Sequence, residues 1–166
     1  DGDGIVDVLH GRPNGVIPLL GRGDGTFDFA APGAWPTPAG DGRYVSGIVL
    51  VDLDDDDDLD AVVSHRTHLP ARYMNRGDGT FEVFHDLGDE PIQTGHMGGA
   101  VADIDGDGHL DFLVGGHQPD SYTPADPSPA THANLYSLAS GQLGTGPFEL
   151  PERAHEGYTF VTAVLD

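Results

Sequence analysis

The segment VADIDGDGHLDFLV, Val101 to Val114, sets Asp103, Asp105 and Asp107 at alternating positions and adds Asp111, with Gly106 and Gly108 between them. Carboxylates spaced this way in a tight loop converge on one point. A hard cation such as Ca²⁺ takes six to eight oxygens at about 2.3–2.6 Å, with side chains from positions 1, 3, 5 and 9, a backbone carbonyl from position 7, and a glycine bend at position 6. The expected ligands are Asp103, Asp105, Asp107, the carbonyl of His109, and Asp111, with Gly108 at the bend.

The pattern recurs. VDLDDDDDLDAVV, Val51 to Val63, lays Asp52 on Asp103, Asp54 on Asp105, Asp56 on Asp107 and Asp60 on Asp111, with the carbonyl of Asp58 at position 7. Its bend residue is Asp57, which tolerates the left-handed region less well than glycine. This loop is therefore expected to hold a cation more weakly, unless its added charge offsets the strain. The opening DGDGIVDVL places Asp1, Asp3 and Asp7 on Asp105, Asp107 and Asp111, with the carbonyl of Ile5 at position 7. The closing FVTAVLD resembles the stretch before Asp103, which makes Asp166 the first ligand of a loop whose remainder is missing. An EF-hand would need an acidic residue at position 12 and flanking helices. Here position 12 is Val63 or Val114 and the flanks are strand-like. A solvated acidic turn accounts for a single DDDDD run but not for in-phase copies, and four or five carboxylates this close repel strongly without a cation.

Strands must position these loops. An apolar stretch leads into each (Tyr44–Val51, Met97–Ala102, Tyr158–Leu165) and a second strand leaves it (Ile5–Leu9, Ala61–Ser64, Phe112–Val114). A third strand follows at Val16–Leu20, Arg72–Asn75 and Asn134–Ala139, and a fourth begins at Phe27, Phe81 and Phe148. Between strands three and four, GRGDGTFDF from Gly21 and NRGDGTFEV from Asn75 are glycine-containing hairpin turns, with GTGPFEL from Gly144 a weaker copy. Repeats of roughly 40–50 residues built from short strands point to an all-β propeller with one four-stranded antiparallel blade per repeat. The expected organisation is one partial propeller over 1–166. Residues 1–43 form strands two to four of a split blade, 44–95 and 96–156 complete blades, and 157–166 the first strand of the next or split blade. About three blades are too few for a closed ring, so additional blades or self-assembly is expected to complete it.

Composition narrows the function. The formal net charge is −21, from 28 acidic residues against seven basic ones, all of them arginine. Such a chain repels nucleic acid and anionic membranes. No stretch is apolar enough for membrane insertion, and no signal peptide is visible. Cysteine is absent, which excludes disulfides and zinc–thiolate sites.

The combination NRGDGTFEVF…GGAVADIDGDGHLDFLVGG resembles the FG-GAP/VCBS repeat family, the integrin-α-like calcium-binding propeller blades that include bacterial ASPIC/UnbV-associated repeats. The resemblance covers nearly the whole chain. It implies a propeller with Ca²⁺ between strands one and two of each blade, and an extracellular, periplasmic or cell-surface (secreted) location. VGGHQP stands where the family's GAP element would be, and Gly116–Ala133 is an insertion rich in Pro and Asp.

Four-stranded meanders alternate strand direction, so the Asp loops and GDGTF turns share one face of the disc. The RGD tripeptides Arg22–Asp24 and Arg76–Asp78 fall in those turns and are expected to be turn structure rather than adhesion ligands. The opposite face collects His10, His65, His68, His85, His96, His117, His132 and His155 with Arg12, Arg43, Arg66, Arg72 and Arg153. Two functions fit this division. One is a calcium-stabilised recognition module that binds a protein or glycan ligand through the opposite face. The alternative is a metal-dependent carbohydrate-active enzyme (lyase, dehydratase or hydrolase) using a transition metal held by His10, His65, His96 and His117, since imidazole coordinates metals and transfers protons near neutral pH. No nucleophile motif or helical histidine pair supports the enzyme, and SHRTH (Ser64–His68) is its nearest approach to a ligand pair.

Overall fold

The structure, a computed structural model, describes residues 1–36, 43–66, 68–87, 95–104, 106–117 and 134–139. All regular elements among them are strands: β1 (Val8–Arg12), β2 (Gly15–Gly21), β3 (Phe27–Phe29), β4 (Val45–Val51), β5 (Asp60–His65), β6 (Ala71–Asn75), β7 (Phe81–Asp86), β8 (Gly95–Ala102), β9 (Asp111–His117) and β10 (Asn134–Ser137). They form three antiparallel sheets ordered β1-β2-β3, β4-β5-β6-β7 and β8-β9-β10. The middle sheet is a complete four-stranded meander; the outer two show three strands each. These are β-propeller blades, and among the described residues no helix is long and apolar enough to cross a membrane.

Strand positions follow the expectation to within three residues at each end: β8 begins two residues early, β9 runs on to His117, and β10 stops at Ser137. The first chain segment becomes strand at Val8 rather than Ile5, because Asp7 turns back to accept the amide of Gly21 at 2.8 Å and so belongs to the loop. The expected strands at Phe148 and Tyr158–Leu165 lie outside the described residues.

Side chains alternate across β5, so a strand between two sheets supplies both seams. Ala61 and Val63 join Val16, Trp35, Ala71, Tyr73 and Phe81 in a cluster shared with the first sheet. Val62 turns the other way into a cluster with Leu87, Phe112, Val114, Tyr136 and Leu138 of the third. The first seam is pegged by Trp35, which arrives from the segment after β3. Its ring lies 4.3 Å from that of Tyr73 and 4.9 Å from that of Phe81, both tilted, and the Phe81 amide donates to the Ala34 carbonyl at 2.7 Å. Across the second seam the buried Arg72 donates through Nη1 to the Leu138 carbonyl. Arg72 was expected on the open loop face. It is instead a strut between sheets, because its place in the middle of the meander aims it into the seam.

The inner strands β4 and β8 approach backbone to backbone. A Cβ on Gly47 would stand 2.7 Å from the Gly98 Cα and 2.8 Å from the Ser64 Oγ, so only glycine fits. Both strands are irregular here, between Val45 and Gly47 and between Met97 and Gly99.

Candidate metal centre

The loop between β4 and β5 is organised by its own carboxylates. Asp52 accepts the amides of Asp55 (2.8 Å), Asp56 (3.3 Å) and Asp57 (3.1 Å). Asp56 accepts the amide of Asp58 at 2.9 Å. Asp60, 1% exposed, accepts from Leu53 at 3.0 Å and from Asn75 at 2.7 Å, which ties the loop to the end of β6. One carboxylate oxygen each from Asp52, Asp54 and Asp60 lie within 4.8 Å of one another, the one such group of three metal-ligating residues among the described residues. Asp56 adjoins Asp54 outside that group.

The loop between β8 and β9 repeats the design. Asp103 accepts from Gly106 (2.8 Å) and Gly108 (3.0 Å), Asp107 from His109 (2.8 Å), and Asp111 from Ile104 (3.0 Å). Asp105 lies outside the described residues. In the opening loop, Asp3 accepts the amide of Ile5 at 2.8 Å, and Asp1 that of Asp3 at 3.2 Å. Asp166 lies outside the described residues. Thus Ile5, Asp58 and His109 stand at matched places, each donating its amide to the aspartate two residues before it.

Electrostatics in the β4–β5 loop run against full ionisation. Partial desolvation, then the carboxylates of Asp56 and Asp52, push the Asp54 pKa up. Burial pushes Asp60 up further than the amides of Asn75 and Leu53 pull it down, with Asp54 and Asp56 adding to the rise. An all-oxygen, multiply anionic set with raised proton affinity is the donor chemistry a hard divalent cation satisfies.

The backbone shows a cost that exceeds the expectation. Asp57 has φ 71°, and Asp55, at position 4, also lies in the left-handed region at φ 61°. Gly106 and Gly108 take these places in the β8–β9 loop, as Gly2 and Gly4 do in the opening loop. Asp55→Gly and Asp57→Gly should each raise cation-free stability by roughly 1 kcal/mol in denaturant titrations. Asp→Asn at the same positions removes the charge but keeps the strain, and should give the smaller gain.

The Asp loops and GDGTF turns do share a face. Asp58 lies against Gly77, where a Cβ would stand 2.5 Å from the carboxylate. Asp1 and Gly2 of the opening loop sit against Gly79 and the Gly77 carbonyl. Within each turn, Asp24 accepts the amide and hydroxyl of Thr26 (2.9 and 2.6 Å), and Asp78 those of Thr80 (3.0 and 2.5 Å). The threonine hydroxyls hold both carboxyls below the usual range. Arg22 pairs with Asp28 and Arg76 with Glu82. Both RGD tripeptides are thus engaged in internal turn bonds.

His10 is exposed on β1. His65 is buried at the end of β5, with Nδ1 2.9 Å from the Leu69 carbonyl and its ring 6.5 Å from that of His68. His96 and His117 occupy neighbouring backbone positions, opposite Gly116 and Gly95 respectively. No histidine joins the three-carboxylate group. Sequence reasoning missed Asn75, whose Nδ2 also donates to the Leu59 carbonyl (3.2 Å) and whose Oδ1 accepts the Gly77 amide (3.1 Å). An asparagine beginning a turn carries no ligand signature, so nothing in the spacing marks it.

A family model described as FG-GAP-like repeat matches residues 1–63 and 65–114. No curated protein and no solved structure matches the chain. The two matched stretches take in the Asp52–Asp60 and Asp103–Asp111 loops and the strands that hold them. On that match and these blades, the chain belongs to the FG-GAP-like repeat family.

Proposed function

We propose that this chain is a calcium-stabilised β-propeller module that recognises a protein or glycan ligand through the face opposite its Asp loops, outside the cytoplasm. The observation that carries the calcium reading is the convergence of Asp52, Asp54 and Asp60 oxygens within 4.8 Å on a loop whose backbone amides already orient them. Asp52, Asp54, Asp56 and Asp60 would hold the ion there, with the Asp58 carbonyl. Asp103, Asp105, Asp107, Asp111 and the His109 carbonyl would do so in the β8–β9 loop. Bound Ca²⁺ would supply positive charge where carboxylates otherwise repel, and so fix the connection between the first two strands of a blade. Recognition falls to the other face because rigidly held loops are where binding residues collect. His10 and Arg12 of β1 are exposed there.

Elemental analysis of the protein purified without chelator is the test. Calcium near one ion per complete loop, with no stoichiometric transition metal, supports the module. Stoichiometric zinc, manganese or iron would move the reading to the histidine-based enzyme.

Protons and calcium compete for the same oxygens. The raised folded-state values of Asp54 and Asp60 mean that the cation-free fold holds these protons more tightly than the unfolded chain does. Their contribution is fully present below the ordinary carboxylate value of 3.8 and is lost as pH rises through the folded values. The calcium-dependent gain in Tm should therefore grow from about pH 4 to about pH 7, as thermal melts at matched ionic strength would show.

A further inference from the structure

Each Asp loop ends beside the last turn of the next strand but one. The pairs Val8–Leu19, Ala61–Tyr73 and Asp111–Ser137, extended by one or two residues, set Gly21, Asn75 and Leu138 opposite Val6, Leu59 and Leu110. These last three immediately precede the closing aspartates Asp7, Asp60 and Asp111.

The three matched places hold their loops differently. Gly21 donates its amide to Asp7 Oδ1 at 2.8 Å, and the Val6 carbonyl fills the space a Cβ would need, so this loop rests on bare backbone. Leu138 donates its amide to the Leu110 carbonyl at 2.9 Å and buries its side chain in the second seam. Of the three, Asn75 alone brings polar side-chain atoms. Its backbone amide donates to Asp60 Oδ1 at 2.7 Å, its Nδ2 donates to the Leu59 carbonyl at 3.2 Å, and its Oδ1 accepts the Gly77 amide at 3.1 Å.

We propose that Asn75 is a positioning residue for the cation of the β4–β5 loop, where it fixes the peptide units on both sides of Leu59. The inference rests on the calcium reading of that loop. The Leu59 carbonyl held by Nδ2 lies between two expected ligands, the Asp58 carbonyl and the Asp60 carboxylate. A peptide unit is planar and turns as a whole, so holding the Leu59 carbonyl restricts the swing of the Asp58 carbonyl before it and of Asp60 after it. The Gly77 amide anchors the same carboxamide to the turn, and the Asp58 carboxylate lies against that glycine. Ligands held before the ion arrives lose less freedom on binding it. Groups that orient a metal ligand are typically worth about 10–100-fold in metal affinity.

Calorimetric titration of the chain with Ca²⁺, with circular dichroism in chelator as the fold control, tests it. Asp107→Ala removes a ligand of the β8–β9 loop and so identifies the component that belongs to the β4–β5 loop. Asn75→Leu keeps the side-chain size but none of its hydrogen bonds. It should weaken the β4–β5 component roughly 10–100-fold and leave the other unchanged. Asn75→Ser can still accept the Gly77 amide but does not reach Leu59. It should show the same loss, and it serves as the test if the leucine variant does not fold. Thr80→Val removes the hydroxyl bond to Asp78 in the same turn and should lower stability without changing calcium affinity, a contrast that a purely structural role would not give. An equal loss of affinity in Thr80→Val, or an unchanged affinity in Asn75→Ser, would overturn the proposal and leave the calcium reading standing. No calcium binding by the unaltered chain would overturn both.

Discussion

Trp35→Ala should cost roughly 3–5 kcal/mol, the largest loss expected from any single substitution among the described residues. Trp35 is nearly buried, packs on Tyr73 and Phe81, and belongs to the segment that joins the first sheet to the second. Its removal empties the centre of a seam that neither sheet can close alone, and forfeits about 0.5–1.5 kcal/mol per aromatic pair beyond the area lost. Small domains are stable by only about 5–15 kcal/mol, so the loss takes a large share of the total. Trp35→Phe keeps much of the buried area and should cost clearly less. Urea titrations followed by circular dichroism give the comparison. A loss below about 1 kcal/mol would mean that the seam is not cooperative with the fold.

Asp60→Ala should be the most damaging change within the loops, and should act in two separable ways. It leaves the amides of Leu53 and Asn75 without their acceptor, at about 1–3 kcal/mol each where they are shielded from water. It also removes one of the three converging oxygens, so the remaining stability should respond less to calcium. Asp60→Asn keeps an acceptor oxygen without the charge. It should recover part of the cation-free stability and little of the calcium response. Asp54→Ala provides the contrast: Asp54 is exposed, its backbone partner is Asp56 within the loop itself, and desolvation, then the carboxylates of Asp56 and Asp52, already raise its pKa. Its loss should leave cation-free stability unchanged or slightly higher while the calcium response falls. Paired melts of the three variants, in chelator and in calcium, separate scaffold from ligand.

What the sequence shows here follows from what repeats. Alternating aspartates, glycine-rich turns and apolar pairs recur in phase, so the strand order, the hairpins and the sharing of one face by loops and turns can be read directly. The strain at Asp55 was legible in principle, since Gly2 and Gly106 hold the same place, but position 4 supplies no ligand and draws no notice. Asn75 and Trp35 work through geometry that no spacing encodes. One serves a carboxylate with its backbone, and the other packs on a sheet it does not belong to. Arg72 misled for the same reason: a cation in an acidic chain suggests a surface, and only the tertiary seam reveals the Leu138 carbonyl it serves.

The central claim is that the Asp loops are cation cages that hold the blades together. Thermal melts of the wild-type chain in chelator and in calcium test it most directly. A ligand that binds only the folded state adds RT ln(1 + [L]/Kd), about 2.7 kcal/mol at a hundredfold excess over Kd, or roughly 5–10 °C in Tm for a chain of this size. The expected result is a rise of that order in calcium, reversed by chelator and smaller with magnesium, whose octahedral preference suits these loops less well. Superimposable melts in chelator and in millimolar calcium would contradict the account.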